Sequence, residues 1–161
     1  SKIMMEDTST NLLIPRFFTV YGPYGRPDMS ILRFIHWIIQ EKEVLVLGDG
    51  EQMRSFTYID DVVEALLLMM DYKESNTFNI GSNTTVSLNE VIKTIEKYSG
   101  KKANIKNEER AYKDPDVVRP NLENISNELN WKPSTNIEAG IEKTVSWYSE
   151  NKEFLNDIVY I

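Results

Sequence analysis

The sequence predicts a single domain of the α/β or α+β class that spans residues 1–161. Segments rich in β-branched and aromatic residues alternate with segments whose apolar residues recur at helical spacing, which is typical of mixed α/β proteins. A length of 161 residues fits one compact domain. The contents of 41% hydrophobic and 27% charged residues are ordinary for a globular protein.

The first predicted elements are a strand, a loop and a helix. The run LLIPRFFTVYG at 12–22 predicts a buried strand because it is dense in Ile, Phe, Val and Tyr. GPYGRPD at 22–28 contains two glycines and two prolines and predicts a loop. Asp28 or Ser30 is expected to cap a helix that runs to about Lys42 and has one apolar face.

The middle of the chain predicts three strands and a helix. The strands are EVLVL at 43–47, RSFTYI at 54–59 and NTFNIG at 76–81. Between the last two, Asp60 or Asp61 is expected to cap an apolar helix that ends near residue 72.

The last part of the chain predicts three more helices. Ser87 and Glu90 have the spacing of a capping box, so a helix is expected over 88–99, with Gly100 as its end. KANIKN at 102–107 predicts an edge strand, and the polar run that follows predicts irregular structure. Two helices are expected at the end, over 123–129 and 137–151.

Composition and charge exclude several classes of function. The net charge of −7 argues against non-specific nucleic-acid binding. The absence of cysteine and the presence of one histidine, His36, exclude thiolate and two-histidine metal sites, and we expect His36 to be structural. No apolar run approaches the roughly 20 residues of a membrane helix, and the first residues lack a signal-peptide pattern. We therefore expect a soluble, cytoplasmic, acidic domain.

The familiar catalytic motifs are missing from these residues. The sequence contains no Gly-x-Gly-x-x-Gly turn, P-loop, Gly-x-Ser-x-Gly elbow or His-Glu-x-x-His motif. Motif spacing alone therefore assigns no reaction to the chain.

Three strings nevertheless carry a resemblance: RFFTVYGPYGRPDM (Arg16–Met29), RSFTYIDDVVEAL (Arg54–Leu66) and ELNWKPSTNIEAGIEKTVSWY (Glu128–Tyr148). Together they resemble the C-terminal half of the extended short-chain dehydrogenase/reductase enzymes, the NAD-dependent epimerase/dehydratase family that acts on nucleotide sugars. The first string is most similar to the UDP-glucuronate 4-epimerase branch of that family. The resemblance covers nearly the whole chain in the family's order.

The resemblance implies that this chain is the C-terminal substrate-binding portion of such an enzyme and lacks most of the Rossmann domain. The implied cofactor is NAD, bound mainly by the absent N-terminal part, and the implied ligand is a UDP-sugar. The full enzyme would convert UDP-glucuronate into UDP-galacturonate for surface polysaccharide by transient oxidation at C4. The chain alone is expected to be inactive and to expose apolar surface where the absent part would pack, and a homodimer is compatible with the family.

Two alternatives to an epimerase are kept. The first is a 4,6-dehydratase or decarboxylase of the same superfamily. Analysis of the reaction product of the complete enzyme would distinguish these from an epimerase. The second is a non-catalytic module for nucleotide-sugar binding or assembly.

The family's catalytic pair is Tyr-x-x-x-Lys, of which the chain contains one candidate member. SKIMME at the start resembles the family's Ser-Lys-x-x-x-Glu and implies that Lys2 is the catalytic lysine. The segment between Lys2 and Arg16 is roughly two helical turns shorter than is usual in the family.

The resemblance implies substrate-binding roles for Thr19, Arg26 and Arg54. Arg54 opens the pattern R-x-F-x-Y-x-x-D, whose arginine contacts the diphosphate in the family. Arg26 would bind the glucuronate carboxylate in bidentate fashion, and Thr19 would supply a hydroxyl. Alternatively, Arg54 pairs with Asp60 or Asp61 on the surface, Arg26 belongs to its loop, and Thr19 is an ordinary strand residue.

Phe17 is implied near the nicotinamide of the cofactor, with a place in the core as the alternative. Buried strands commonly carry aromatic residues for packing alone.

The segment 110–121 is expected to complete the nucleotide site, although its register against the family is open. Counting back from Trp131 places Asp114 at the family's aspartate, but Ala111 and Lys113 then occupy the positions of an arginine and a glycine.

Three further residues bear on that register. Arg110 or Arg119 is able to replace the missing arginine, and Asp116 competes with Asp114. The same count places Asn121 and Asn124 where the family has an aspartate and a lysine.

Overall fold

Strands and helices alternate through the computed structural model, which describes residues 12–109 and 115–155. The strands are β1 Leu13–Phe17, β2 Thr19–Tyr21, β3 Glu43–Leu47, β4 Met53–Arg54, β5 Phe56–Tyr58, β6 Asn76–Ile80, β7 Val86–Ser87, β8 Asn104–Glu108 and β9 Val117–Val118. The helices are α1 Ser30–Ile39, α2 Ile59–Met70, α3 Leu88–Ser99, α4 Glu123–Leu129, α5 Ile137–Glu150 and α6 Lys152–Leu155. The predicted mixed α/β class is confirmed.

The strand predicted over 12–22 is in fact two strands with different partners. β1 pairs in parallel with β6, and β2 pairs in parallel with β5. The break falls at Phe18, whose amide donates to the carbonyl of Ile80 at 2.9 Å. Composition does not reveal such a switch, because it depends on partners that lie far away in the sequence.

The remaining described strands form two further small sheets. β3 pairs in parallel with β8, whose five residues are all exposed, in agreement with the predicted edge strand. β4 lies between β7, which is antiparallel to it, and β9, which is parallel to it. This last sheet brings Arg54 opposite Val118.

Two of the predicted helix caps are not present. The N-cap residue of α1 is Met29 and that of α2 is Tyr58, and neither helix has a side-chain cap. The helix α2 begins three residues before the predicted start, so Asp61 lies within its first turn.

The cap predicted for α3 is confirmed. Ser87 Oγ accepts from the Glu90 amide at 3.1 Å, and the Glu90 carboxylate accepts from the Ser87 amide at 2.8 Å. Gly100 ends the helix with a φ of 68°, a left-handed conformation that suits glycine. Local sequence alone determines this element.

The described residues form two hydrophobic cores. The first core packs α1, α3 and α5 against β3 and β5. The second core packs α2 and α4 against β6, with Trp131 buried among them.

His36 lies in the first core, as expected for a structural histidine. It is 4% exposed, and its Nδ1 lies 2.7 Å from the hydroxyl of Tyr148 on α5. Lys42 Nζ lies 3.2 Å from Nε2. Burial, with the nearby Lys42 charge, lowers the pKa of His36 to about 4, so the ring is neutral at physiological pH.

One face of α2 carries exposed apolar side chains. Val63, Leu67 and Met70 recur at helical spacing and are 47%, 59% and 74% exposed. None of the helices in the described parts of the chain has the length and apolar character needed to cross a membrane.

Candidate functional site

A cleft of about 620 Å³ lies where β1, β2 and β5 end. Open α/β folds commonly bind ligands beyond the carboxyl ends of parallel strands. Three of the predicted site residues line this cleft together, namely Phe17, Thr19 and Arg26. Its other lining residues are Phe18, Val20, Tyr21, Gly22, Pro23, Tyr24, Gly25, Met29, Ile59 and Val118.

The wall of the cleft that carries Arg26 consists of two consecutive β-turns. The Gly25 amide donates to the Gly22 carbonyl at 3.2 Å, and the Met29 amide donates to the Arg26 carbonyl at 3.1 Å. Each turn has proline at its second position, where the fixed φ of proline suits a turn. The predicted loop is therefore ordered by its own sequence.

Tyr24 is under local backbone strain in the first of these turns. Its φ is 58°, a left-handed value that is uncommon for a bulky residue. The residue is 80% exposed, and the centroid of its ring lies 5.0 Å from that of Trp147 on α5. This aromatic contact ties the turn to the helical core.

Arg26 makes its side-chain hydrogen bonds within the described residues to Asp28 alone. Arg26 Nε donates to Asp28 Oδ1 at 3.0 Å and Nη2 donates to Oδ2 at 2.5 Å, a bidentate ion pair. Both side chains are solvent-exposed. The hydrogen bonds from Arg26 lower the pKa of Asp28, which keeps the carboxylate ionised. The prediction that Asp28 caps α1 is therefore wrong, because Asp28 pairs with Arg26 and the N-cap residue is Met29.

Tyr21, which lines the cleft, packs against Tyr58 beneath it. Their rings lie 5.6 Å apart, and both residues are 4% exposed. Burial raises the pKa of both phenols, and the Asp61 charge raises them further. Neither phenol therefore ionises near neutral pH, and both act as packing residues.

Gly22 allows the chain to turn sharply into the cleft. Its φ is 139°, and a Cβ there would lie 2.6 Å from the Cγ2 of Ile59. Glycine is therefore required at this position by both conformation and space.

Arg54 lies next to the cleft without lining it. Its Nη1 donates to the carbonyl of Met53 at 2.8 Å and lies 3.4 Å from that of Asp116. The buried neighbour Ser55 exchanges hydrogen bonds with the backbone of Ser82 and fixes β4 in place. Arg54 lies opposite Val118 in the pairing of β4 with β9, and Val118 lines the cleft. Arg54 is therefore adjacent to the cleft.

Asp61 is bonded to a distant turn, although the sequence had suggested it as a helix cap or as a partner of Arg54. Its carboxylate, 2% exposed, accepts four hydrogen bonds of 2.9 to 3.2 Å from Ser134 and Thr135. Two donors are backbone amides and two are hydroxyls. This buried group holds α2 to the segment before α5.

The segment 115–124 contributes Val118 to the lining of the cleft. The backbone carbonyl of Asp116 accepts from the Met53 amide and from Arg54 Nη1, whereas exposed Arg119 borders a second depression of about 360 Å³. Asn121 Oδ1 accepts from the amide of Glu123 at the start of α4. Asn124 donates to Asn76 Oδ1 and to the Thr77 carbonyl, so both asparagines have structural contacts.

Five predicted positions lie outside the described residues. Three of them are Lys2, Arg110 and Asp114, which were proposed as site residues, and the other two are the register positions Ala111 and Lys113. Arg119 and Asp116 lie within the described residues and have the positions given above.

Two contributors to the site were missed from the sequence. The sequence around Val118 predicts irregular structure, whereas its place in the cleft depends on long-range strand pairing. Asp28 was considered only as a cap. The signal for its role was local, because Pro27 places Asp28 two residues after Arg26 in a tight turn.

Comparisons with known proteins place the chain among sugar-nucleotide enzymes. The family model for GDP-mannose 4,6 dehydratase matches residues 3–144. The UDP-glucuronate 4-epimerase of Thermodesulfobacterium geofontis is 39% identical over 149 residues, which cover 92% of this chain and 46% of that protein.

Two solved structures are similar in fold. The UDP-glucuronic acid 4-epimerase from Bacillus cereus, in complex with UDP-glucuronic acid and NAD, has a TM-score of 0.84 and 29% identity, covering 92% of this chain and 48% of that one. The dTDP-glucose 4,6-dehydratase from Bacillus anthracis, in complex with NAD, has a TM-score of 0.79 and 26% identity, with coverages of 88% and 46%. The chain spans about half the length of the proteins it matches.

Proposed function

The chain belongs to the GDP-mannose 4,6-dehydratase family of extended short-chain dehydrogenases/reductases, and from that premise we propose that it supplies the sugar-nucleotide site of a UDP-glucuronate 4-epimerase. The observation that carries this proposal is the presence of Thr19 and Arg26 in one cleft. That cleft is large enough for a sugar and has an aromatic wall at Phe17.

Arg26 is the residue that suits a glucuronate. Oxidation at C4 of a glucuronate sugar creates a β-keto acid, which loses carbon dioxide readily if its carboxylate is badly oriented. A guanidinium holds a carboxylate in one plane through two parallel hydrogen bonds. Arg26 would therefore both select the acidic sugar and retain its carboxylate, with the Thr19 hydroxyl as an additional donor.

Arg54 is assigned to the diphosphate. The protein carries a net charge of −7, so an anionic ligand depends on local arginines for attraction. Arg54 lies opposite Val118 of β9 at the edge of the cleft, and Arg119 directly follows Val118 at the same end of that strand. These two residues would face the nucleotide half of the ligand while Arg26 faces the sugar.

The similar enzymes from Bacillus cereus and Bacillus anthracis were solved with NAD, and we assign the same cofactor to the complete protein. The 161 residues contain no glycine-rich dinucleotide turn, so the part of the relatives that this chain does not span would hold most of the cofactor. Phe17, 47% exposed at the end of β1, offers a flat apolar surface for the nicotinamide end. When bound, the cofactor would supply reversible hydride transfer for C4 of the sugar.

Lys2 remains assigned as the lysine of the catalytic pair, with its tyrosine outside the 161 residues. We therefore expect the chain to bind a sugar nucleotide without converting it. A homodimer of the complete protein and a cytoplasmic location belong to the same proposal.

A second candidate is a sugar-nucleotide 4,6-dehydratase. The matching family model and the structure from Bacillus anthracis both favour it. Product analysis of a complete enzyme containing this chain separates the two, because a dehydratase yields a 4-keto-6-deoxy sugar and the epimerase yields a galacturonate.

The binding step is tested by calorimetric titration of the 161-residue chain with UDP-glucuronate and with UDP-glucose. UDP-glucose lacks the carboxylate, so Arg26 loses a charge-assisted partner, which costs roughly 1–3 kcal/mol, or about 5- to 150-fold in affinity. We expect a preference of that size for UDP-glucuronate.

Two variants serve as matched controls in this titration. Arg26→Ala should abolish the preference, whereas Arg54→Ala should weaken both ligands by the same factor. Equal binding of the two sugars by the unmodified chain would contradict the glucuronate assignment, and binding of neither would show that these residues do not form the site by themselves.

A further inference from the structure

The ion pair between Arg26 and Asp28 occupies one edge of the guanidinium. A guanidinium has a side-on edge formed by Nε and Nη2 and an end-on edge formed by Nη1 and Nη2. Asp28 fills the side-on edge with hydrogen bonds of 3.0 and 2.5 Å. Among the described residues, Nη1 has no hydrogen-bond partner, so the end-on edge can receive a second carboxylate.

The backbone of the turn reduces the conformational entropy that is lost when Arg26 and Asp28 pair. Arg26 and Asp28 are the first and third residues of a β-turn that is closed by the hydrogen bond from Met29, and Pro27 fixes φ between them. Exposed ion pairs are usually weak because two long side chains must be ordered. Here the short Asp28 side chain is positioned by the turn, so only the arginine side chain loses freedom.

The two edges of the Arg26 guanidinium can therefore bind two different carboxylates, that of Asp28 and that of a ligand. We propose that Asp28 is a positioning residue that fixes the Arg26 guanidinium by its side-on edge, so that its end-on edge accepts the carboxylate of an acidic sugar. This proposal rests on the proposed function, because it requires that Arg26 binds that carboxylate. It adds a specificity-determining residue that does not itself touch the ligand.

An exchange model makes the opposite prediction. If Asp28 merely occupied Arg26 until a ligand carboxylate displaced it, removal of the Asp28 charge would strengthen binding of the acidic sugar. If Asp28 orients Arg26, its removal weakens that binding, because the guanidinium then samples many orientations. The sign of the change thus distinguishes the two.

The test is titration of Asp28→Asn with UDP-glucuronate and UDP-glucose. We expect the preference for UDP-glucuronate to fall about two- to fivefold, a range set by the usual strength of exposed ion pairs, with UDP-glucose affinity unchanged. Glu41→Gln is the matched control, because it removes one carboxylate from the exposed pair with Lys101 just beyond the other end of α1. That variant should leave both affinities unaltered.

A second measurement reports on the pair without any ligand. Nuclear magnetic resonance of the Arg26 Nε–Hε group should show slower hydrogen exchange in the unmodified chain than in Asp28→Asn. Equal exchange rates would overturn the proposal at its first step.

The outcomes separate this proposal from the one on which it rests. An unchanged or increased preference in Asp28→Asn, combined with loss of preference in Arg26→Ala, overturns the role of Asp28 and leaves the glucuronate site intact. If the unmodified chain binds both sugars equally or binds neither, the proposed binding of UDP-glucuronate by this chain fails, and the role of Asp28 fails with it.

Discussion

Asp61 accepts hydrogen bonds from both the amide and the hydroxyl of Ser134, at 3.2 and 2.9 Å, although the two residues lie 73 positions apart. Thr135 donates two more in the same way. A buried carboxylate is stable only when hydrogen bonds replace its lost hydration. Asp61 therefore joins the motif that carries Arg54 to the turn that begins α5.

Replacement of Asp61 by alanine should destabilise the protein by about 3 kcal/mol. The change leaves two amides and two hydroxyls without their acceptor in a place that water does not reach, and hydrogen bonds to charged groups contribute more than neutral ones. Urea unfolding measures the difference. Asp60→Ala is the control, since Asp60 is an exposed acid in the same helical turn and its loss should cost less than about 1 kcal/mol. Similar losses for the two variants would contradict this account.

Replacement of Gly140 by alanine should lower stability by roughly 1–2 kcal/mol, even though alanine favours helices by about 1 kcal/mol. A Cβ at this position in α5 would lie 1.9 Å from the hydroxyl of Tyr21, which must move. Because Tyr21 lines the cleft, both UDP-sugars should bind more weakly by a common factor.

Thermal unfolding and the two-ligand titration check this prediction. Glu142→Ala, at an exposed position of the same helix, should change neither quantity. A Gly140→Ala variant that is more stable than the unmodified chain would show that the Tyr21 side chain can move away without loss of stability.

The sequence predicted those elements whose signals are local. The capping box of Ser87 and Glu90 and the stop at Gly100 involve residues within a few positions of each other, and α3 has the predicted bounds. The division of 12–22 into β1 and β2 was not predicted, because it follows from pairing with β6 and β5. The partners of Asp61 were missed for the same reason.

The candidate site likewise contains some residues that one stretch of sequence indicates and others that only long-range strand pairing brings to the cleft. A single stretch of sequence contains Phe17, Thr19 and Arg26, and the structure brings them to one cleft. Arg54 reaches the neighbourhood of that cleft only through the pairing of β4 with β9, and Val118 enters it by the same pairing. Resemblance to a family suggested the first group, while only three-dimensional contacts reveal the geometry of the second.

The apolar face of α2 should drive self-association of the 161-residue chain. Leu67 and Met70 are 59% and 74% exposed, and burying such side chains between two copies is favourable. The double change Leu67→Gln and Met70→Gln should raise the dissociation constant about tenfold or more in sedimentation experiments. Glu64→Gln, an exposed position on the same helix, is the control. A chain that is monomeric before any change would refute the prediction.

Stability should fall on acidification because of His36. Its pKa is about 4 in the folded protein, below the ordinary value of 6.5, since burial and the Lys42 charge oppose protonation. The unfolded chain therefore binds more protons between these values, so the stabilisation is complete above pH 6.5 and is lost as the pH falls towards 4. Between pH 7 and pH 5 the free energy of unfolding should decrease by about 2 kcal/mol.

Urea unfolding at a series of pH values isolates this effect, because His36 is the single histidine of the chain. His36→Gln removes the titrating group, so its stability should be nearly constant between pH 5 and pH 7, even if it is lower throughout owing to the altered contact with Tyr148. Lys42→Met should shift the histidine pKa upwards and reduce the slope, because the neighbouring positive charge is gone. A slope that persists in His36→Gln would assign the pH dependence to carboxylates instead.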